Sequence, residues 1–349
     1  MREYILRRLI LLPFMMLGVS LLTLLAFRVI PGDVVDIHCG FQCDEDTKRI
    51  LRDEFGLDDP LLPTSLDFTD PPFVSLHQSQ YGDWVWDIVK PELHTIAGPI
   101  EVPLPKLDLG KSFRGRLEVT TELGRRMPIT VELMIMTLIF TAVLGVPTGI
   151  LSAIRPGTIY DAVARFSTIV WLSVPGFYVG TLVVIFGSKW FGWTPPQFGT
   201  GYTPFIDDPL INLEQFMIPS LVLALGSAGL VMRLTRSSML EVMRNDYIRT
   251  AWSKGLRERS VVWRHALKNA LIPVVTVLGL EAGGLLGGAV LIETIFALNG
   301  VGVYVVQAVI SREFLVVQSM AFLFAFVYVL TNLTVDVVYA WLDPRIRYA

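Results

Sequence analysis

The stretch FSTIVWLSVPGFYVGTLVVIF (Phe166–Phe186) runs for 21 residues without a charge. At about 1.5 Å rise per residue, a helix of that length crosses the roughly 30 Å hydrocarbon core of a bilayer. Five further apolar runs surround it: Leu9–Ile30, Ile129–Ile154 with Glu132 near one end, the short and uncharged Phe216–Met232, Ala270–Ile292 with Glu281 at its centre, and Phe314–Val335, followed by Asp336. The chain is 52% hydrophobic and 17% charged, whereas soluble domains carry about 25% charged residues. The expected fold class is therefore an all-α polytopic membrane protein with six transmembrane helices. The first run ends in FRVIPGD with no small-x-small cleavage site, so it is expected to stay as a span and not be cleaved as a signal peptide.

Charge sets the sidedness. Short loops rich in Lys and Arg stay in the cytoplasm. Arg2, Arg7 and Arg8, then Arg155 and Arg165, then the 236–268 loop, then Arg345 and Arg347 fall on one side of a six-span chain. The 236–268 loop alone carries eight bases against three acids. Residues 31–124 hold 18 Asp or Glu against 8 Lys or Arg and fall on the other side. The expected organisation is 1–30 as cytoplasmic N-terminus and first span, 31–127 as an extracytoplasmic segment, and 128–349 as a five-helix core with a cytoplasmic loop at about 236–268. Both termini are then cytoplasmic. Recurring aromatic residues such as Trp84, Trp86 and Phe113 make a small folded cap with short helices the expectation for the external segment.

Cys39 and Cys43 lie in that segment, where an oxidising compartment permits a disulfide. Their spacing is compatible with a local disulfide or two free thiols. His38 adds a third donor, but no second ligand pair follows it, so no metal site is assigned. No catalytic constellation is apparent: the histidines His38, His77, His94 and His265 are scattered. LGKS (Leu109–Ser112) lacks the first glycine of a phosphate-binding loop, with Pro105 in its place. The chain is expected to be no enzyme and to bind no cofactor. The basic loop is tethered to spans at both ends, so it is not assigned to nucleic acid.

Within that loop, DYIRTAWSKGLRER (Asp246–Arg259) stands out. From Ser238 onward, Met239, Met243, Tyr247 and Ala251 fall four apart on one helical face. Gly255 then ends the helix as a left-handed cap, and a second helix starts near Glu258. An amphipathic corner of this kind either docks in a partner's groove or packs beneath the spans. Along Ala270–Ile292, Gly279, Gly283 and Gly287 are spaced four apart, as are Gly284 and Gly288. Small-xxx-small spacing lets helices approach closely in lipid. Glu281 sits at mid-depth, where a carboxylate faces a cavity or a partner and not lipid.

Several ordered segments resemble the permeases of ATP-binding-cassette (ABC) importers of the oligopeptide, dipeptide and nickel family. They include RVIPGD (Arg28–Asp33), FGLDDPL (Phe55–Leu61), DLGKSF (Asp108–Phe113), RRMPITVEL (Arg125–Leu133), RLTRSSMLEVMRNDYIRTAWSKGL (Arg233–Leu256), RHALKNALIPVVT (Arg264–Thr276), GGAVLIETIF (Gly287–Phe296) and YAWLDPRIRY (Tyr339–Tyr348). Where that family usually has Pro-Gly after ETIF, this chain has Asn299–Gly300. The resemblance implies a type I importer fold in the prokaryotic inner membrane. It also implies an EAA-type coupling element at Asp246, Tyr247, Arg249, Thr250, Ala251, Lys254, Gly255 and Leu256. The implied partners are a second, related permease chain, two ATPase subunits carrying ATP and Mg, and an extracytoplasmic substrate-binding protein. Peptides are the expected cargo, with nickel chelates or oligosaccharides as alternatives within the family. Glu281, Gly283, Gly284 and Gly287 become candidates for the translocation path or the subunit interface. A stand-alone channel or secondary transporter is the rival class, but no selectivity filter and no paired broken helices speak for it.

Sidedness is directly testable. After reduction, Cys39 and Cys43 should react with a membrane-impermeant thiol reagent in intact cells; reaction only after lysis would reverse the assignment.

Overall fold

The computed structural model of the chain describes residues 2–29, 35, 44–54, 57–62, 79–97, 100–105, 107–113, 117–195 and 201–342. Cys39 and Cys43 lie outside the described residues. A bilayer supplies no water to satisfy backbone polar groups, so apolar runs of this length become helices. In chain order the elements are α1 (Arg2–Val29), α2 (Glu45–Glu54), α3 (Gln80–Val89), β1 (Pro91–Ala97), β2 (Ile100–Pro105), α4 (Val119–Ile154), α5 (Ile159–Ser173), α6 (Gly176–Phe191), α7 (Pro209–Val242), α8 (Asp246–Ser253), α9 (Glu258–Ser260), a π-helical turn (Val261–Ala266), α10 (Leu267–Ile295), α11 (Val301–Ile310) and α12 (Phe314–Leu342). Strands β1 and β2 form an antiparallel hairpin, an addition to the helical membrane fold that the sequence pattern did not announce.

Among the described residues, five helices are long and apolar enough to cross a membrane, and α5 with α6 makes a sixth, bent span. That bend corrects the expectation of one straight helix over Phe166–Phe186: the two halves meet at 92°. Pro175 is the cause. A residue before proline is pushed out of the helical region, and Val174 adopts φ −101° and ψ 122°. Gly176 then restarts the helix with Pro175 at its N-cap.

The contacts divide the chain into two compact units. One comprises Met1–Ile10, Arg126–Val303 and Val327–Ala349, the other Leu11–Arg125 and Tyr304–Phe326. In the first, α7 packs against α5, α6 and α10, and α4 lies against it through two glycines. A methyl group added at Gly149 would sit 2.6 Å from Thr235 Cβ and 2.8 Å from the Met232 carbonyl oxygen. One added at Gly145 would sit 2.7 Å from Val231 Cγ1 and 2.9 Å from the Ala228 carbonyl. These two glycines, four apart, bring helix backbones together as small residues do in lipid.

Polar groups fasten the Pro209 end of α7. Glu132 Oε2 accepts from Asn212 Nδ2 at 2.6 Å, and its Oε1 accepts from the Tyr202 hydroxyl at 2.9 Å. Burial, with the Glu132 carboxylate beside it, pushes the Tyr202 phenol up to about 12, so it remains a donor at any physiological pH. Gln215 accepts from Thr203 N at 3.2 Å and donates to the Gly201 carbonyl at 2.9 Å. Asp208 caps the helix through Leu210 N and Ile211 N, with Pro209 in the first turn, where its missing N–H costs nothing.

Glu293, fully buried near the end of α10, closes the turn that follows it. Thr130 Oγ1 donates to its Oε1 at 2.6 Å and accepts from Val301 N at 2.9 Å, while Val303 N donates to its Oε2 at 3.0 Å. Any side chain at Gly300 would run into this carboxylate, and one at Gly302 would reach within 2.8 Å of Oε2. Elsewhere in the same unit Arg8 pairs with Asp336 at 2.7 Å, which brings the start of α1 beside the end of α12.

The second unit folds around α3, whose N-cap Ser79 accepts from Gly82 N. Trp84, buried, donates from Nε1 to Ser319 Oγ at 3.2 Å and meets Phe322 edge-on at 5.5 Å. The Ser319 hydroxyl in turn donates a hydrogen bond to the Leu109 carbonyl at 2.9 Å. Tyr81 donates to the Leu17 carbonyl at 2.7 Å, and Ser112 hydrogen-bonds Glu313. A tryptophan buried with its indole N–H satisfied is a strong local anchor. Between α1 and α4 the described residues thus include two short helices and a hairpin, with α3 anchored through Trp84.

The α4–α7 contact yields a graded expectation. Gly149→Ala should lower the thermal midpoint of the detergent-solubilised protein, since overpacking costs about 1–3 kcal/mol. Gly226→Ala, in α7 with nothing within 4 Å of the added methyl, should leave it level or raise it. Equal midpoints for the two variants would show that the helices do not meet at Gly149.

Candidate coupling corner and translocation face

The expected continuous helix from Ser238 through Ala251 is interrupted. Backbone hydrogen bonds Arg244 N to Glu241 O (3.1 Å) and Asn245 N to Val242 O (3.1 Å) close a turn after α7, and Asn245 stands at the N-cap of α8. Asparagine favours such turns because its short polar side chain competes for backbone groups. The four-apart face is therefore split. Met239 is buried on α7, and Ile248 and Ala251 are the buried residues of α8. Tyr247 and Trp252 turn outward, 42% and 43% exposed. Ile248 and Ala251 join Ile150, Ala153, Met239 and Val261 in one apolar cluster, against which Leu256 packs.

Gly255 closes α8 at φ +72°. Leu256 N bonds back to Ala251 O at 3.4 Å, the pattern of a Schellman C-cap. No atom lies within 4 Å of a Cβ built at Gly255, so the backbone conformation and not space demands glycine. The candidate residues divide accordingly: Ala251 and Leu256 hold the corner on its support, while Asp246, Tyr247, Arg249, Thr250, Lys254 and Gly255 are exposed. Tyr247 is oriented by Asn269, whose Nδ2 donates to its hydroxyl at 2.8 Å. Arg249 and Asp246 stand 3.8 Å apart and are 76% and 98% exposed, a pair of little energetic weight. The following turn is π-helical, with Leu267 N bonded to Val262 O. Insertions of this kind concentrate at functional sites.

Beside the corner lies an ion pair that sequence patterning did not single out. Asp161, in the first turn of α5, is 2% exposed. Its carboxylate accepts from Arg236 Nε at 2.9 Å and Nη2 at 3.1 Å, from Ser152 Oγ at 2.5 Å and from Gly157 N at 3.0 Å. Arg236 belongs to α7, Ser152 to α4, and Gly157 to the turn between α4 and α5, so one carboxylate joins three helices. The available signal was a lone acid following an Arg155–Thr158 turn at the head of an apolar run.

Glu281 is half-buried on α10 and accepts from Ser227 Oγ of α7 at 2.5 Å. The glycines near it separate into two roles. A methyl at Gly283 would meet the Tyr328 ring at 2.8 Å, so this position serves packing on α12. Gly284 and Gly287 have nothing within 4 Å. With exposed Leu280 and Leu291 they form an open stripe at i, i+4, i+7 and i+11. Among the described residues no group of three His, Cys, Asp or Glu could hold a metal ion.

Residues 145–348 match the family of binding-protein-dependent transport system inner membrane components, and residues 1–134 match that family's N-terminal region. The chain belongs to this family. It is therefore a transmembrane permease subunit of an ABC importer and a transport protein of the inner membrane. The family match spans the corner, Glu281 and Glu293. The permease is 36% identical to a putative peptide transport system permease of Brucella abortus, over 95% of each chain. It is 34% identical to the dipeptide transport system permease DppB of Escherichia coli, over 100% of this chain and 99% of that one. Among solved structures, an inward-facing MetNI methionine ABC transporter shares its fold, with a TM-score of 0.50 at 18% identity, over 64% of this chain and 98% of that one.

The Asp161 node predicts a cycle. Asp161→Ala should destabilise the permease by about 3–5 kcal/mol, because it leaves Arg236, whose side chain is only 24% exposed, without its counter-charge. Removing Arg236 as well, as Met, should restore much of that loss. Denaturation midpoints of the two variants read it; a single variant within experimental error of wild type would reduce the node to a surface pair.

Proposed function

We propose that this permease forms half of an import path for di- or oligopeptides. It pairs with a second, related permease chain, two ATPase subunits that bind ATP and Mg, and an extracytoplasmic substrate-binding protein. Residues 1–30 supply the cytoplasmic N-terminus and first span, 31–127 the extracytoplasmic segment, and 128–349 the core, with both termini in the cytoplasm. The peptide reading is supported by relatives described as dipeptide and peptide permeases that align along nearly the whole chain. The observation that carries the coupling role is the corner at α8. Ile248 and Ala251 seat it on α4 and the π turn, while Tyr247, Arg249, Trp252 and Lys254 are exposed, the face offered to a groove on an ATPase subunit.

Movement of that corner passes through α7 to Glu281, whose carboxyl and the open Gly284–Gly287 stripe would line the path or the seam with the second permease. A carboxylate at that depth suits the ammonium and amide groups of a peptide. The hydrogen bond from Ser227 of α7 orients its side chain.

The test is ATP-driven uptake of labelled dipeptides in proteoliposomes containing the complete transporter. Gly255→Val should leave assembly intact and abolish stimulation of ATP hydrolysis by the loaded binding protein, since a β-branched residue resists φ near +72°. Glu281→Gln should preserve assembly and shift uptake from cationic towards neutral peptides. Wild-type uptake and ATPase stimulation in Gly255→Val would remove α8 from the coupling role, and unchanged cargo preference in Glu281→Gln would make that residue structural.

A further inference from the structure

A cavity of about 780 Å³ opens between α4, α5 and the π turn, and its lining includes none of the candidate coupling residues or the glycine stripe. Its volume lies within the range of about 300–1,000 Å³ typical of small-molecule sites. The lining is graded from one end to the other. Arg155, directly after α4, and Arg259, in α9, belong to the lining, with Glu258 as its one acid. Two guanidinium groups against one carboxylate leave that end of the lining positive. Tyr160 and Trp263 also line it, and further along α5 the lining is mostly apolar, through Val163 to Trp171, with Ser167 among them and Met232 of α7 beside them. Ile159 and Trp171, at its two ends along α5, are twelve residues apart, or about 18 Å of helix. Ile159 and Tyr160 are 75% and 69% exposed, too apolar a surface to be left to water.

From this gradient we infer that the groove holds one anionic glycerophospholipid, its phosphate on Arg155 and Arg259 and an acyl chain along α5 towards Trp171. A planar guanidinium donates two parallel hydrogen bonds to a phosphate. Trp and Tyr prefer the headgroup boundary, and basic pockets between spans on the cytoplasmic side take anionic headgroups. The partner chains of a transporter would supply a protein surface, but neither the length of the groove nor its apolar depth requires one. A bound lipid would wedge α5 against α4 beside the Asp161 node and so tune how firmly the corner is seated.

The proposal takes from the permease reading the partner chains present in the sample and the cytoplasmic placement of the basic loop. The complete transporter, washed free of lipid in detergent, is titrated with phosphatidylglycerol or phosphatidylcholine, and retained lipid is counted by native mass spectrometry. Wild type should keep about one phosphatidylglycerol per chain and no matching phosphatidylcholine. Arg155→Gln with Arg259→Gln should lose it. Ala164→Trp, which fills the groove and leaves both arginines, should lose it too, and if either variant fails to assemble the other decides. Equal retention by wild type and variants, or equal retention of the two lipids, overturns the proposal. So does efficient disulfide cross-linking of Ile159→Cys to a partner subunit, which would place protein in the groove. Lipid counting uses neither transport nor orientation, so its failure leaves the uptake experiment standing, and the reverse.

Discussion

The approach of α4 to α7 is the constraint on which the core of this permease depends. Lipid tails are as apolar as leucine, so helices in a bilayer gain nothing by merely hiding apolar surface from one another. Affinity must come from close packing and polar ties. At Gly145 and Gly149 the α4 backbone comes within touching distance of Val231 and Thr235. With that contact made, polar groups fall into register on either side. Glu132 reaches Asn212 near the start of α7, and Asp161 and Ser152 reach Arg236 near its end. Glu281 is held from the same helix by Ser227. Each tie buries a charged or polar group whose cost is offset only because its partner is already in position.

Hydropathy made the membrane helices legible because length and the absence of charge are properties of a run and need no tertiary context. Gly255 was legible for the same reason: a glycine between two amphipathic segments marks a left-handed cap whatever surrounds it. The break at Pro175 was written in the sequence but outweighed by 21 uncharged residues, because hydropathy counts apolar atoms and not backbone direction. The four-apart pattern through Met243 and Tyr247 misled in another way. Periodicity continues across a three-residue turn if the turn happens to preserve phase, and Asn245 was the only local sign of it.

The buried polar nodes were not legible at all. Glu293 and Asp161 look like ordinary acids near the ends of spans, and what distinguishes them is a partner more than seventy positions away: Thr130 for one, Arg236 for the other. The glycines show the same limit. Spacing drew attention to Gly283, Gly284 and Gly287, yet only Gly283 meets a side chain within this chain, while the tightest crossing uses Gly145 and Gly149. Spacing reports which residues share a face, and only the fold decides what that face meets.

The place where α4 crosses α7 also sets a mechanical ratio. From Met232 to the end of α7 is about ten residues, or roughly 15 Å, and from Met232 back to Pro209 is about 23 residues, or roughly 35 Å. A rod pivoting at that crossing has unequal arms, the shorter one attached to the corner. Were α7 to turn about that crossing, a displacement of about 1 Å at the corner would become roughly 2 Å at the far end, in the opposite direction. Pro219 removes one rung from the hydrogen-bond ladder of the long arm. The far end is also the one tied to Glu132 through Asn212 and to the loop at Gly201–Thr203 through Gln215, so those hydrogen bonds would have to yield before the longer arm could swing.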